Sequence, residues 1–235
     1  MKYPVRLEFV AVVLSLWPAV IASASPIVDT NGTTGPGPFT PFYAVSSSDL
    51  INGRAPSAQS GNFAEEGAGG VAVLTNGTFG TISGGNPGVN TLFATAGTGE
   101  QLTYTLDLAA NPQGYLVNSI ATYGGWNDSG RDQQLYTVAF STVANPTTFV
   151  DYASVNFNPT AGGDPSASRV QINDSTGIAA LNVAAVRFTF DQPAAPENGY
   201  TGYTEIDVIG RAMPEPTAMG LVALGAAGLL ARRRN

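Results

Sequence analysis

The mature part of the chain is written in short apolar–polar alternations separated by clusters of turn residues. Gln101–Leu108 places Leu102, Tyr104, Leu106 and Leu108 on one side, the period of two that marks a strand with one buried face. Similar runs follow at Tyr115–Tyr123, Gln134–Thr142, Thr148–Phe157, Arg169–Asn173, Val183–Phe190 and Tyr203–Ile209. Val71–Thr75 precedes Asn76-Gly77, a strong turn dipeptide, and reads as a further β-pattern. Asn111-Pro112, Asn145-Pro146, Asn158-Pro159, Gly162–Pro165 and Pro193–Gly199 punctuate the series. No stretch of this region sustains a helical period, and at least eight strands without βαβ spacing predict an antiparallel β-sandwich. Residues 26–43 are rich in Pro, Gly and Thr without periodicity and read as a lead-in or an edge segment.

The two ends obey different rules. Lys2 and Arg6 open the chain, Phe9–Ile21 is apolar apart from Ser15 and Pro18, and Ala22-Ser23-Ala24 fits the small-x-small cleavage rule. Residues 1–24 therefore read as a signal peptide exported by the Sec machinery and cut after Ala24. At the other end Pro214 and Pro216 sever the last strand from the C-terminal tail, because neither a helix interior nor a central strand accepts them. An uncharged apolar run, Ala218–Ala231, then meets Arg232, Arg233 and Arg234. Its 14 residues fall short of the roughly 20 a spanning helix needs, yet it is apolar all round, unlike a surface helix of a soluble domain. Arginine snorkelling makes a short span tolerable, and the order of break, apolar run and basic end is also that of a sorting signal removed after use.

Pro214-Glu215-Pro216-Thr217, the apolar run and the arginine cluster together resemble the PEP-CTERM sorting domain of Gram-negative and related bacteria. The resemblance covers residues 213–235. It implies recognition by an exosortase, processing near Pro214–Thr217, and association with exopolysaccharide, biofilm or floc. The expected location is the cell surface, outer envelope or extracellular matrix, with the tail only transiently in the membrane.

Composition narrows the function of the region between the two signals. Setting both signals aside leaves Ser25–Ala212, with five basic residues against fifteen acidic ones and a net charge of −10. Such a surface repels phosphate backbones and excludes a nucleic-acid partner. An exported chain with no cysteine has no disulfide framework, so its core must hold it together. With no histidine and no cysteine, the commonest general base, thiol nucleophiles and imidazole metal sites are all absent.

Two stretches concentrate the remaining chemistry. Tyr123–Tyr136 joins two expected strands and gathers Trp126, Asn127, Asp128, Arg131 and Asp132 around glycines. Trp126 either stacks on a sugar ring while the polar groups take hydroxyls, or packs on the end of the sandwich while Arg131 pairs with a carboxylate to fix the loop. The packing alternative is the better supported, since sandwich loops need internal ties as often as they carry sites. In Tyr200–Gly210, Glu205 and Asp207 share one face of a terminal strand and offer two oxygen ligands to Ca²⁺, or else form a solvated face.

Leu74-Thr-Asn-Gly77, the Tyr123–Tyr136 loop, Val186-Arg-Phe-Thr-Phe190 and Tyr203–Gly210 resemble the galactose-binding-like jelly roll, which includes discoidin-type (F5/8 type C) domains and several carbohydrate-binding modules. The likeness spans roughly residues 44–211. It implies a structural Ca²⁺ held in part by Glu205, with Asn76 in the early loop where the family often has Asp. Asp128, Asp132, Glu205 and Asp207 formally permit paired-carboxylate glycoside hydrolysis. One Trp in the domain is few for sugar subsites, and no nucleophile elbow, phosphate loop or dinucleotide fingerprint appears. The expectation is a non-enzymatic exported protein that binds a carbohydrate or matrix polymer. A structural matrix component is the alternative, and a glycan-active hydrolase the less favoured one.

Overall fold

The computed structural model describes residues 26–34, 44–78, 92–126, 131–159, 166–191 and 199–215. The expected signal-peptide helix and the hydrophobic sorting helix, from residue 216 onward, lie outside them, as do Asn127 and Asp128. The described residues are all-β and antiparallel. Ten strands run in the order β1 (Pro26–Thr34), β2 (Ala58–Ser60), β3 (Ala94–Gly97), β4 (Gln101–Thr105), β5 (Tyr115–Trp126), β6 (Gln134–Thr142), β7 (Asn145–Phe157), β8 (Ser166–Asp174), β9 (Ala180–Phe190) and β10 (Tyr200–Ala212).

Hydrogen bonding makes one continuous ten-stranded sheet that folds over itself into a two-layered antiparallel sandwich. One layer has the order β1-β8-β5-β10-β3 and the other β7-β6-β9-β4-β2. They join where Tyr115 and Val117, at the start of β5, reach Val183 and Ala180 of β9. Between the layers sit the alternate residues that the period of two singled out. Ile120, Val170, Ile172, Ile206 and Val208 from the first layer meet Leu102, Tyr104, Tyr136, Val138, Phe188 and Phe190 from the second. Burying one such side chain stabilises by roughly 1.5–3 kcal/mol, so this cluster is what replaces disulfides.

Most expected strands are present with longer bounds. Two expectations change. Val71–Thr75 is not a strand: Gly70–Thr75 is a 3-10 turn that buries only Leu74 and Thr75. Gly70 at φ 71° and Gly77 at φ 73° bracket it, and both left-handed positions break ladder pairing at the ends of so short a run. The Gln101–Leu108 alternation continues past its ladder; β4 ends at Thr105, and the Leu106 amide instead bonds Ala184. At the other extreme, Pro26–Thr34 forms an edge strand along the whole of β8, with Pro26 at the first position where its missing N–H costs least.

Register also fixes direction. Ala212 faces Tyr115, and Pro26 faces Asp174, at one end of the first layer. Trp126 faces Ser166 at the other end, where β6 begins, β7 ends, β9 ends and β10 begins. Pro26 and Ala212 therefore lie at the same end of the sandwich, and β3, β5, β7 and β9 all end at the opposite one.

Candidate metal centre and the arginine-held end

β10 carries a bulge that decides its chemistry. Tyr203 pairs with Gly124 and Glu205 with Tyr123, so Thr204 is the extra residue. Both Tyr203 and Ile206 thereby point into the core, although three residues separate them. The shift sends Glu205 and Asp207 to the other face of the layer, beside Tyr123 and Ala121. Without it, a strict alternation from Tyr203 would drive Glu205 among the aromatic rings of the core.

On that face Glu205 and Asp207 meet Asp49. Oxygens of the three carboxylates lie within 4.8 Å of one another. Glu205 is 0 % exposed and Asp207 1 %. Asp49 Oδ1 accepts hydrogen bonds from the amides of Ile51 at 3.1 Å and Val208 at 2.8 Å. Asp207 Oδ2 accepts from the Ser46 amide at 2.8 Å and the Tyr123 hydroxyl at 3.2 Å. Glu205 Oε1 accepts from the Gly77 amide at 3.2 Å. In each carboxylate the second oxygen, Asp49 Oδ2, Asp207 Oδ1 and Glu205 Oε2, is buried with no partner.

Such crowding is unfavourable for three anions. Burial pushes the Asp49 carboxyl up to about 6, against the hydrogen bonds that lower it, with Asp207 adding to the rise. Burial pushes Glu205 up to about 8, assisted by the charges of Asp207 and Asp49. Asp207 is raised as well, again by burial. Tyr104, whose buried hydroxyl has no partner, is held protonated by its burial and by the charges of Glu205 and Asp49. A cation among these oxygens would satisfy the orphaned atoms and neutralise the repulsion at once. The donors are all oxygen, which suits a hard ion such as Ca²⁺ rather than zinc.

The expected ligand set is thus only partly assembled. Glu205 stands in the cluster, and so does Asp207. Asn76 does not offer its side chain: Asn76 Oδ1 accepts from the amide of Thr78 at 2.8 Å and its hydroxyl at 2.5 Å, closing a local turn. The Asn76 backbone amide, not its side chain, faces Glu205. Asp49 was not legible in sequence, since a lone Asp after a serine run carries no ligand spacing.

The second stretch is held shut. Trp126 is 1 % exposed, with Phe93 4.6 Å away, Tyr200 edge-on at 6.5 Å, and the Arg131 guanidinium 5.1 Å above its ring. Arg131 also lies 5.3 Å over Tyr200 and forms an ion pair with Glu66 at 2.9 Å. A ring so enclosed leaves no face for a sugar. Arg131 (φ 69°) and Glu66 (φ 52°) both adopt the left-handed backbone that side chains disfavour, so tertiary contacts hold both halves of the pair in place. Asp132 is fully buried behind them. Glu205 and Asp207 belong to the acidic cluster, closed from solvent, and offer no paired carboxylates in an open cleft.

Comparison with known proteins gives a terminal match and distant folds. Residues 214–234 match the PEP-CTERM protein-sorting motif. No curated protein matches the chain. Among solved structures it is similar to the CBM32 of AlyQ in complex with 4,5-unsaturated mannuronic acid, at 16 % identity and a TM-score of 0.38, over 66 % of this chain and 92 % of that one. It is also similar to an F5/8 type C domain from Bacteroides fragilis, at 18 % identity and a TM-score of 0.38, over 67 % and 94 %. A family 32 carbohydrate-binding module from Clostridium perfringens NanJ, in complex with galactose, shares 10 % identity at a TM-score of 0.37, over 77 % and 92 %. Among the described residues no helix is long and apolar enough to cross a membrane. The described residues form an antiparallel all-β domain, and the chain carries a PEP-CTERM sorting motif at 214–234, directly after β10.

Proposed function

We propose that this is an exported, non-enzymatic surface protein whose sandwich binds a carbohydrate of the extracellular matrix and is delivered there through exosortase processing of its tail. The observation that carries the reading is directional. Strands β5, β7 and β9 end, and β6, β8 and β10 begin, at the end opposite Ala212, which stands two residues ahead of the sorting motif at 214–234. A domain held by its C-terminus therefore turns that end of the strands outward. Binding sites on sandwiches are built from loop clusters at such an end, on a rigid scaffold. In this reading Asp49, Glu205 and Asp207 hold a structural Ca²⁺ that ties the residues after 44 to β10, and it takes no part in any reaction.

Affinity of the exported chain for a panel of matrix polysaccharides tests it, with Asn127→Ala/Asp128→Ala as the control. Binding that weakens at least tenfold in the double variant supports a loop site. Absence of binding to every polymer would leave the chain as a structural matrix component, the alternative with which the closed packing around Trp126 agrees.

A further inference from the structure

We infer that the outer face of the second layer is a separate binding face for a sugar chain that carries carboxylates, with Arg187 as the residue that takes the carboxylate. A polar outer face alone says little, because an antiparallel layer with one buried side presents the other to water. Arg187 is what that explanation leaves over. Its guanidinium lies 4.3 Å over the Phe149 ring, and among the described residues no carbonyl or carboxylate accepts a hydrogen bond from it. Its Nε is buried without a partner. Arg131, by contrast, meets the Glu66 carboxylate at 2.9 Å. A guanidinium partly withdrawn from water, with one donor buried and unanswered, favours an anion that brings the acceptors with it.

Strand register sets what surrounds it. Asp151, Ala139, Arg187, Thr103 and Ala58 form one cross-strand row over β7, β6, β9, β4 and β2. The next row toward the outward end is Ser154, Thr137, Thr189, Gln101 and Ser60. Neighbouring strands stand about 4.8 Å apart, so these rows set hydroxyl and amide groups at regular intervals beside the guanidinium. Thr103, Thr137 and Thr189 are all partly exposed, as is Phe149. Sugar hydroxyls find donors and acceptors along the threonines, while the stacked Arg187–Phe149 pair adds an apolar edge next to a planar fork that matches a carboxylate.

The domain is acidic overall, so a polyanion must meet it where acid is scarce. Asp49, Glu205 and Asp207 are closed in on the first layer. In the two rows named, Asp151 is the one carboxylate; it is exposed, two strands from Arg187, and forms no ion pair with it. It tempers the attraction of the face for anions and so offers a second handle on it. The inference rests on the carbohydrate reading above and gives it a ligand chemistry, but it uses none of residues 127–130, so the two can fail separately.

The test titrates the full exported chain with polygalacturonate, with its methyl ester, which keeps the backbone and blocks the carboxylates, and with dextran sulfate. Polygalacturonate should bind about tenfold more tightly than the ester, and Arg187→Gln should remove about that advantage. Arg187→Lys keeps the charge and the stem but not the fork, and should lose affinity severalfold. Asp151→Asn should bind more tightly, and Asn127→Ala/Asp128→Ala should bind as the parent does. Thermal unfolding of each variant confirms that it is folded, and Arg187→Lys serves if Arg187→Gln is not. Parental affinity in a folded Arg187 variant overturns the inference. A loss confined to the Asn127/Asp128 variant also overturns it, while leaving the carbohydrate reading in place. Dextran sulfate bound as tightly as polygalacturonate would overturn the choice of carboxylate. If none of the three polymers binds, the face carries no such site, even where a neutral polysaccharide binds elsewhere on the chain.

Discussion

Asp49 accepts a hydrogen bond from the backbone amide of Val208 at 2.8 Å, linking positions 159 residues apart. Through it the segment after residue 44 closes the open edge of β10, and the Leu50 amide returns a bond to the Val208 carbonyl at 2.9 Å. A single Asp thereby occupies two roles: it caps a strand edge with one oxygen and leaves the other for the acidic cluster.

Calcium should stabilise the protein by filling that cluster. At a free ion concentration one hundred times the dissociation constant, binding contributes about 2.7 kcal/mol. For a domain of this size that corresponds to a rise in Tm of roughly 5–10 °C. Thermal unfolding with Ca²⁺ and with chelator measures it, and Glu205→Gln should abolish most of the difference. An identical Tm in both conditions would reject a bound ion.

Without metal, stability should decline with rising pH. Asp49 and Glu205 have folded-state values raised to about 6 and about 8, so the folded protein holds their protons more tightly than the unfolded chain does. Their contribution is complete below the ordinary carboxylate range and is lost as pH climbs through about 6 and then about 8. Chelated protein should therefore unfold at lower temperature at about pH 8.5 than at about pH 5. Saturating Ca²⁺ should flatten or reverse the slope, because the ion takes the place of those protons.

Arg131→Ala should destabilise by about 2 kcal/mol, chiefly by removing the guanidinium packed between Trp126 and Tyr200. The fluorescence of Trp126 should shift to the red as solvent reaches it. Glu66 is about half exposed, and Glu66→Gln should cost less than about 1 kcal/mol. Equal effects from the two substitutions would show that the ion pair, and not the packing, is what matters.

Gly202→Ala should be among the most damaging single changes. A Cβ there would strike the ring of Trp126 and come within 2.6 Å of the Gly125 carbonyl. Overpacking of a rigid site costs roughly 1–3 kcal/mol or more, and here the obstruction includes backbone. Denaturant unfolding of the purified variant provides the measurement.

Removal of residues 214–235 should release the domain into the medium with its fold intact, since β10 ends at Ala212 and the Met213 amide already bonds Gly114. Intact mass of the surface-retained protein should lack Arg232–Arg234. A mass that includes them would make the tail a lasting anchor.

By itself the sequence determined the β class, the approximate position of most strands, and the sorting tail. Each rests on a local rule: the pleat imposes a period of two, prolines and glycines interrupt it, and the PEP motif is contiguous. Tertiary structure alone decided the rest. Val71–Thr75 looks like a strand in isolation, but no neighbour supplies it with a ladder, and the flanking glycines curl it into a 3-10 turn. Trp126 is a binding aromatic by residue type and a packed one by environment. Glu205 and Asp207 share a face by simple parity, yet only the extra residue at Thr204 allows that face to be the one where Asp49 waits. Local pattern sets which way a side chain points along its own strand; which distant group it meets depends on bulges and packing that no short stretch encodes.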